Sequence, residues 1–269
     1  MILTTYIRPD GLAAVLEGYA AQRNLDFELI VADDGSTPET KNAVEDARRR
    51  AQVPLKHVWQ EDRGFRAAAA RKRAVAATEA DYIIFSDGDC IPSRDFVGTH
   101  KRLAERGFFL GGNRVLLSPK FTHRVLEGRI PVHTWGWRQW AVSWLWRDVN
   151  RLLPLMTLPD GGFRKRTPTR WEGIKTCNLS VWRTDLVHVN GLDESYQGWG
   201  LEDSDLVIRL LHAGVRHKSA RFAAPVFHLW HRELDRSRLA ENQKRLDALL
   251  RSQDVRATLG LDQYGSLQG

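Results

Sequence analysis

Two carboxylates separated by a single glycine, Asp87 and Asp89, stand at the end of a β-forming run at 81–85. Like charges at this spacing repel each other unless a cation, a backbone amide or solvent compensates them. The pair is therefore compatible with a surface turn, with a general acid and base, or with a metal site. The remaining motifs must decide between these three interpretations.

A second acidic cluster lies in the C-terminal half, in the stretch GWGLEDSD at 198–205. Glu202 and Asp203 are candidates for accepting a proton from a hydroxyl group. Trp199 lies between two glycines. Acids are also favourable at the N-terminus of a helix, and this explains Asp205 but not the neighbouring Trp-Gly pair.

Two histidines follow this cluster in the stretch PVFHLWH at 225–231. An extended strand would place His228 on one side and His231 on the other. A lone histidine near an apolar strand is more often packed than bound to a ligand. Both therefore stay open as metal ligands at this point.

The elements that position these residues alternate between strand and helix over the first hundred residues. Strands are predicted at 1–6, 27–34, 55–60 and 81–87, with helices from Pro9 to about Gln22, at 36–50 and at 66–78. This order predicts an α/β fold with a parallel sheet. Ligands of such sheets bind beyond the carboxyl ends of the strands. The residues at those ends, which we expect to share one crevice, are Thr5, Tyr6, Asp33, Asp34, residues 60–62 and residues 87–89.

Several classes of protein are excluded by composition and by missing motifs. The turn after the first strand lacks G-x-G-x-x-G, which argues against an NAD enzyme. Cys90 and Cys177 form no CxxC, so we expect reduced thiols in a cytoplasmic protein. No signal peptide and no apolar run of ~20 residues is visible, which favours a soluble or peripheral protein.

The positive charge is concentrated in one segment. Residues 120–170 hold ten lysines and arginines against three acids, which equals the net charge of +7 of the whole chain. Within it, 132–153 carries five tryptophans together with Arg138, Arg147 and Arg151. This composition favours contact with an anionic membrane surface; packing of the indoles against the core and stacking on a substrate is the alternative. No nucleic-acid module is recognisable, and no nucleic-acid partner is expected.

The ordered motifs TTYIRP, VADDGS, QEDRGFRAAAARKRA, FSDGDC, NLSVWR and GWGLEDSDL resemble glycosyltransferase family 2, a family of inverting enzymes with the glycosyltransferase-A fold. The last motif is similar to the W-G-x-E-D motif of galactosyl- and N-acetylgalactosaminyltransferases and of bacterial capsule polymerases. The resemblance covers about 1–115 and 173–235. It implies a Rossmann-like nucleotide-binding fold, with a mostly parallel central sheet flanked by helices. One continuous domain would comprise a nucleotide-sugar half (1–115), a basic acceptor- or membrane-facing segment (116–172) and an acceptor-binding catalytic half (173–269).

The resemblance also implies a divalent metal, Mn²⁺ or Mg²⁺, because hard oxygen ligands suit both ions. Asp89 would bind it directly, while Asp87 would contact the ribose or reach the metal through water. His228 is the implied histidine ligand, with His231 as the second candidate, and a nitrogen ligand favours Mn²⁺. Gly88 would allow the tight turn.

The remaining site residues follow from the same resemblance. Asp203 would be the base and Glu202 would orient hydroxyl groups. The nucleotide-sugar site would comprise Thr5, Tyr6, Arg8, Asp33, Asp34, Gln60, Arg71, Asp87 and Gly88. The acceptor sugar would meet Trp199, Gly200 and Asn178. Where the family has AARN this chain has Lys72, and we expect Lys72 and Arg73 to face solvent.

The implied function is transfer of a sugar from a nucleotide-sugar donor, with UDP as the expected nucleotide, to a glycan or lipid-linked glycan in cell-surface polysaccharide synthesis. The expected location is cytoplasmic, with peripheral contact to the inner membrane through 132–153. A non-catalytic module that binds a sugar nucleotide or a glycan is the alternative. Retention of all four carboxylates, Asp87, Asp89, Glu202 and Asp203, favours the enzyme.

Overall fold

The computed structural model describes residues 1–232 and 235–264. The strands in these ranges are β1 (Ile2–Thr5), β2 (Leu29–Asp33), β3 (Leu55–Trp59), β4 (Tyr82–Asp87), β5 (Cys90–Pro92), β6 (Phe108–Gly111), β7 (Arg114–Leu116), β8 (Leu179–Trp182), β9 (Arg216–Ser219) and β10 (Val226–His228). The helices are α1 (Pro9–Ala20), α2 (Pro38–Arg48), α3 (Ala67–Ala76), α4 (Phe96–Leu103), α5 (Pro119–Glu127), α6 (Trp137–Leu145), α7 (Arg183–His188), α8 (Glu202–His212) and α9 (Leu239–Arg251).

Seven strands form the central sheet in the order β3-β2-β1-β4-β8-β6-β9. Strand β1 runs parallel to β2 and β4, β2 runs parallel to β3, and β6 runs parallel to β9. Strand β8 is antiparallel to both of its neighbours. The predicted α/β architecture with a mostly parallel sheet is therefore confirmed.

A small second sheet has the order β5-β10-β7. Strand β10 runs antiparallel to β5, and its register pairs His228 with Cys90. The amide of Leu229 also donates a hydrogen bond to the carbonyl oxygen of Asp89, at 2.8 Å. This small sheet therefore brings the histidine stretch next to the Asp-Gly-Asp turn, 139 positions earlier in the chain.

The central sheet is buried on both faces, as a parallel sheet requires. Neighbouring residues of β1 point to opposite sides: Ile2 packs in one apolar cluster with the alanines of α3 and with Leu206 of α8. Leu3 packs in the other cluster, against Leu12 of α1 and Phe96 of α4. The alternation of β1 thus anchors helices on both sides and fixes the direction in which its carboxyl end points.

The predicted exposure of Lys72 is wrong, while Arg73 is exposed as expected. The ammonium of Lys72 is fully buried, forms an ion pair with Glu194 at 2.9 Å and donates hydrogen bonds to the carbonyl oxygens of Leu259 and Gly260. Burial lowers the pKa of this lysine. A distant C-terminal segment covers this face of α3, and the local sequence pattern of the helix cannot reveal it.

The tryptophan-rich segment divides its indoles between the core and the surface. Trp140 of α6 is buried and stacks on Phe227, with ring centroids 4.3 Å apart. Trp135 packs edge-on against Trp140 at 5.0 Å. Three further residues of this region, with Leu145, form an exposed surface that we call the outer indole face: Trp137, Trp144, Leu145 and Trp146. No helix among the described residues is long and apolar enough to cross a bilayer.

Candidate active site

A cavity of about 510 Å³ opens beyond the carboxyl ends of β1 and β4. Most of the predicted site residues line it: Thr5, Tyr6, Arg8, Asp34, Arg71, Asp87, Gly88, Asp89, Trp199, Gly200, Glu202, Asp203, His228 and His231. Asp33, Gln60 and Asn178 do not line it. The two acidic clusters, more than one hundred residues apart in the chain, therefore face the same space.

The Asp-Gly-Asp turn begins where β4 ends, at Asp87, and it lies against β1. The amide of Gly88 donates a hydrogen bond to the carbonyl oxygen of Thr4, at 2.6 Å. A Cβ atom at position 88 would lie 2.9 Å from Oγ1 of Thr5 and 3.0 Å from its Cβ. Glycine is therefore favoured here by the close approach of the turn to the side chain of Thr5.

Both histidines face the same carboxylate. Nε2 of His228 lies 3.6 Å from Oδ2 of Asp89, and Nε2 of His231 lies 3.2 Å from the same oxygen. The predicted alternation of the two rings is wrong, because β10 ends at His228 and the following residues do not continue the strand. The thiol of Cys90 is 3.3 Å from the other oxygen of Asp89.

The electrostatics of this cluster fit a divalent cation. Burial alone would raise the pKa of Asp89, but the hydrogen bond from His231 and the charges of both rings hold it at about 2. Burial lowers the pKa of His228, which favours the neutral imidazole that binds metals, whereas the hydrogen bond to Asp89 raises the pKa of His231. Burial also raises the pKa of Asp87 to about 6, against the opposing charge of Arg71. Ionised oxygen ligands beside neutral imidazole nitrogen suit Mn²⁺.

The second acidic pair, Glu202 and Asp203, lies at the N-terminus of α8. Leu201, just before the helix, adopts a left-handed backbone with φ of 77°, a conformation uncommon outside glycine. Oδ1 of Asp203 accepts a hydrogen bond from Oγ1 of Thr176 at 2.5 Å, and Nζ of Lys175 lies 3.9 Å from its other oxygen. Burial and the neighbouring charge of Asp203 raise the pKa of Glu202 to about 7. This turn therefore sets two carboxylates side by side.

Arg71 of α3 connects the two acidic clusters. Its guanidinium donates to Oγ1 of Thr4 and to Asp87, both at 2.9 Å, and to Glu202 at 3.3 Å. Asp203 lies 3.9 Å away. The side chain is buried between these carboxylates, and their charges raise its pKa against the effect of burial. One fixed positive charge therefore holds both halves of the site together.

Asp34 lines the cavity, and the predicted residue Gln60 supports it instead of lining the space. Oδ1 of Asp34 accepts from the amide of Gln60, and Oδ2 accepts from the backbone N–H of Arg66, each at 2.6 Å. Asp33 turns away, accepting from the backbone amide of Ser36 and contacting His57, each at 2.8 Å. Burial raises the pKa of Asp34 to about 6.

Asn178 lies in the core and not in the cavity. Its amide donates to the carbonyl oxygens of Asn113 and Ala224, at 2.9 and 2.7 Å, so its Oδ1 must accept from Nε2 of His100, at 3.0 Å. Nδ1 of His100 then accepts from the hydroxyl of Ser180, at 2.7 Å. The structure thus gives Asn178 a role in a buried polar network, and its distance from the cavity separates it from the predicted acceptor site.

Eight further residues line the cavity that the sequence motifs did not indicate: Thr4, Ile7, Phe65, Ala67, Arg114, Lys175, Cys177 and Arg232. None belongs to a motif with a chemical mechanism of its own. Lys175 could have been suspected, since it lies between the basic segment and β8. Only the fold shows that this lysine approaches Asp203.

Comparison with known proteins identifies the family. Residues 1–159 match the model of glycosyl transferase family 2, and residues 163–232 match a model described as the N-terminal domain of galactosyltransferase. The chain therefore belongs to glycosyltransferase family 2.

The chain is similar to two curated relatives over most of its own length. It is 30% identical over 224 residues to validoxylamine A glucosyltransferase of Streptomyces hygroscopicus subsp. jinggangensis, covering 80% of this chain and 51% of the relative. It is 24% identical over 233 residues to chondroitin synthase of Escherichia coli, covering 83% of this chain and 33% of the relative. The chain thus spans about half or less of the length of these two relatives.

Solved structures share the fold. S. aureus TarS 1–349 superimposes with a TM-score of 0.61 at 14% identity, covering 98% of this chain and 67% of that chain. The mannosyltransferase PcManGT from Pyrobaculum calidifontis, in complex with GDP-Man and Mn²⁺, superimposes with a TM-score of 0.58 at 17% identity, covering 86% of this chain and 56% of that chain. These similarities show that the chain has the glycosyltransferase-A fold.

Proposed function

We propose that the chain is an inverting, metal-dependent hexosyltransferase that moves a sugar from a nucleotide-sugar donor, with UDP as the nucleotide, to a glycan or lipid-linked glycan in cell-surface polysaccharide synthesis. The observation that carries this proposal is the convergence of the two acidic clusters in one cavity, joined by Arg71. One cluster suits a metal and a diphosphate, and the other suits the removal of a proton. An inverting, metal-dependent transfer from a nucleotide sugar uses both.

The donor would occupy the side of the cavity formed by β1 and the Asp-Gly-Asp turn. Asp89, with His228 or His231, would hold Mn²⁺, and a bound divalent ion offsets the charge that develops on a leaving diphosphate. Asp34, fixed by two hydrogen bonds, would accept from the N–H of the nucleotide base. Two structural neighbours support this arrangement: PcManGT was crystallised with GDP-Man and Mn²⁺, and TarS was crystallised with UDP-GlcNAc.

The acceptor hydroxyl would approach from the side of α8. Asp203 would take its proton while the oxygen attacks the anomeric carbon in line. The hydrogen bond from Thr176 fixes the orientation of Asp203 before the acceptor arrives. Glu202 would orient the hydroxyl groups, and Trp199 would pack against the sugar ring, as the W-G-x-E-D motif implies. A non-catalytic binding module is disfavoured, because it would have no use for the complete set of four carboxylates.

A panel of nucleotide sugars, tested with and without Mn²⁺, examines this function. We expect one donor to raise the melting temperature and to release free nucleotide in a metal-dependent manner. Binding without release for every donor and acceptor would favour the non-catalytic module. Neither binding nor release from any donor, with or without metal, would contradict both hypotheses.

The second part of the proposal concerns location. The outer indole face presents three tryptophans and a leucine to solvent, next to Arg138 and Arg147. Neither arginine has a carboxylate within ion-pair distance in the described part of the chain. Exposed indoles beside uncompensated guanidiniums match the chemistry of an anionic lipid surface. We therefore place the chain in the cytoplasm, bound peripherally to the inner membrane through this face.

A further inference from the structure

A second cavity, of about 530 Å³, adjoins the candidate active site. The two cavities share three lining residues, Arg114, Lys175 and Cys177. The β6–β7 turn, the stretch at 163–174 and the residues after β9 form most of its wall. We call it the basic cavity, after its six lysines and arginines, which are Arg114, Arg151, Arg166, Arg170, Lys175 and Arg221.

The positive charges of the basic cavity are largely uncompensated. Glu172 is the only acid in its lining. Across residues 1–232 and 235–264, no carboxylate lies within 4.0 Å of a guanidinium nitrogen of the five arginines, and Lys175 has only the 3.9 Å contact with Asp203. Because a cluster of like charges is unfavourable without a counter-ion, this lining favours an anionic ligand.

The cations also affect one another. Burial and the charges of Arg170 and Arg151 lower the pKa of Arg221. Burial and the charges of Arg170 and Arg221 contribute to the lowered pKa of His217. These groups are therefore close enough to repel each other, and a single anion between them would relieve that repulsion.

The wall of the basic cavity is held in place by Arg164, which is fully buried. Its guanidinium donates hydrogen bonds to the carbonyl oxygens of Leu158, Pro159, Ser219, Arg221 and Phe222. The segment at 158–165 is thereby fixed to the residues that follow β9. The backbone at Arg221 is consequently fixed by the fold, whereas the side chains of the five other arginines are exposed.

Asn113 adds an unsatisfied polar side chain to the wall of the basic cavity. It lines the cavity, and both its side-chain oxygen and its side-chain nitrogen are buried. Neither atom has a hydrogen-bond partner among the described residues. A buried polar group without a partner is costly, and a polar ligand would supply one if the side chain turned toward the cavity.

We infer that the basic cavity binds a phosphate or pyrophosphate group of the acceptor. Guanidinium groups match phosphate oxygens in pairs of parallel hydrogen bonds, and five arginines exceed what one carboxylate could compensate. Lys175 lines both cavities and approaches Asp203, so an acceptor held here by its phosphate would extend toward the base. The inference rests on the proposed function, of which it specifies the acceptor class.

The position of the basic cavity relates it to the membrane. Leu116 and Asn150 line this cavity and also a surface hollow formed with Trp144, Leu145 and Arg147. The phosphate site therefore borders the outer indole face. A phosphate at the end of a lipid would meet both surfaces at once, whereas a soluble phosphorylated glycan would need only the cavity.

Binding of inorganic pyrophosphate in EDTA tests the inference without donor or metal. We expect the double variant Arg170→Gln/Arg221→Gln to bind pyrophosphate at least ~10-fold more weakly than the wild type, a loss of about 1.4 kcal/mol. The matched control is Arg50→Gln/Arg251→Gln, which removes the same charge from exposed positions on other surfaces. An unchanged melting temperature in both double variants verifies that they are folded. Equal binding by the wild type and the cavity double, or an equal loss in the control, would overturn the inference.

A second experiment distinguishes a lipid-linked phosphate from a soluble one. Neutral phosphatidylcholine vesicles containing a polyprenyl phosphate are compared with free pyrophosphate, using the same variants. Arginine-dependent binding to the vesicles identifies a lipid-linked group, and binding of free pyrophosphate alone identifies a soluble one. Pyrophosphate binding through these arginines in a chain that turns over no nucleotide sugar would reject the proposed function but not this site.

Discussion

The outer indole face should contribute most of the salt-resistant affinity for membranes, and the double variant Trp144→Ala/Trp146→Ala tests this. The two tryptophans are 50% and 75% exposed. With roughly 200 Å² for a whole tryptophan side chain, about 250 Å² is available for burial in lipid. At about 25 cal/mol per Å², half immersion would contribute ~3 kcal/mol, so the variant should bind ~100-fold more weakly.

Flotation with vesicles of phosphatidylglycerol and phosphatidylcholine, at low and at high salt, measures this loss. Arg138 and Arg147 should each add about 1 kcal/mol near the charged surface, and this part should vanish as salt rises. The matched control is Trp59→Ala, because Trp59 is 53% exposed but lies on β3. Turnover of a soluble acceptor should be unchanged in both variants.

The buried Trp140 should behave differently from its neighbours. It stacks on Phe227 in the core, so Trp140→Ala should cost about 3–5 kcal/mol of folding stability.

If the Trp144/Trp146 variant binds anionic vesicles at high salt as tightly as the wild type, or if Trp59→Ala loses as much affinity, the assignment of the outer indole face is refuted.

Two further predictions concern the metal and the core. Asp89→Ala should abolish the Mn²⁺-dependent part of UDP binding while Asp95→Ala, an exposed control, preserves it; normal metal-dependent affinity in Asp89→Ala would reject the ligand assignment. His100 is buried, and burial lowers its pKa from 6.5 to about 4. At pH values below 6.5, His100 binds a proton in the unfolded chain, whereas in the folded chain it binds one only near pH 4. The free energy of unfolding therefore decreases as the pH falls from 6.5 to 4. The unfolding free energy of the wild type should therefore drop about 3 kcal/mol more than that of His100→Gln between pH 6.5 and 4. Urea unfolding at a series of pH values measures this; the exposed control His123→Gln should follow the wild type, and identical slopes in wild type and His100→Gln would contradict the role of burial.

The donor side of the site could be predicted because it depends on local patterns. Alternating strands and helices place the ends of β1, β2 and β4 at one edge of the sheet, so Thr5, Asp34 and Asp87 had to approach each other. The start of α8 was also visible, since its acids follow two glycines. These inferences need only the strand direction and the helix boundary.

The parts that could not be predicted depend on contacts between distant segments. The burial of Lys72 requires the C-terminal stretch around Leu259, and the convergence of His228 and His231 requires knowing that β10 ends after three residues. Asn178 is the first residue of the motif NLSVWR, yet its side-chain amide donates hydrogen bonds to two backbone carbonyl oxygens of other segments. No periodicity in the sequence encodes such pairings.

The most direct test of the central proposal is the turnover of Asp203→Asn at saturating nucleotide sugar and Mn²⁺. The amide keeps the shape of the side chain and can still contact Thr176, but it cannot take the proton of the acceptor hydroxyl. With Asp254→Asn as an exposed control, we predict unchanged donor affinity in both variants and a drop in turnover of ~10²-fold or more in Asp203→Asn alone. A variant that retains most of its turnover would contradict the assignment of Asp203 as the base.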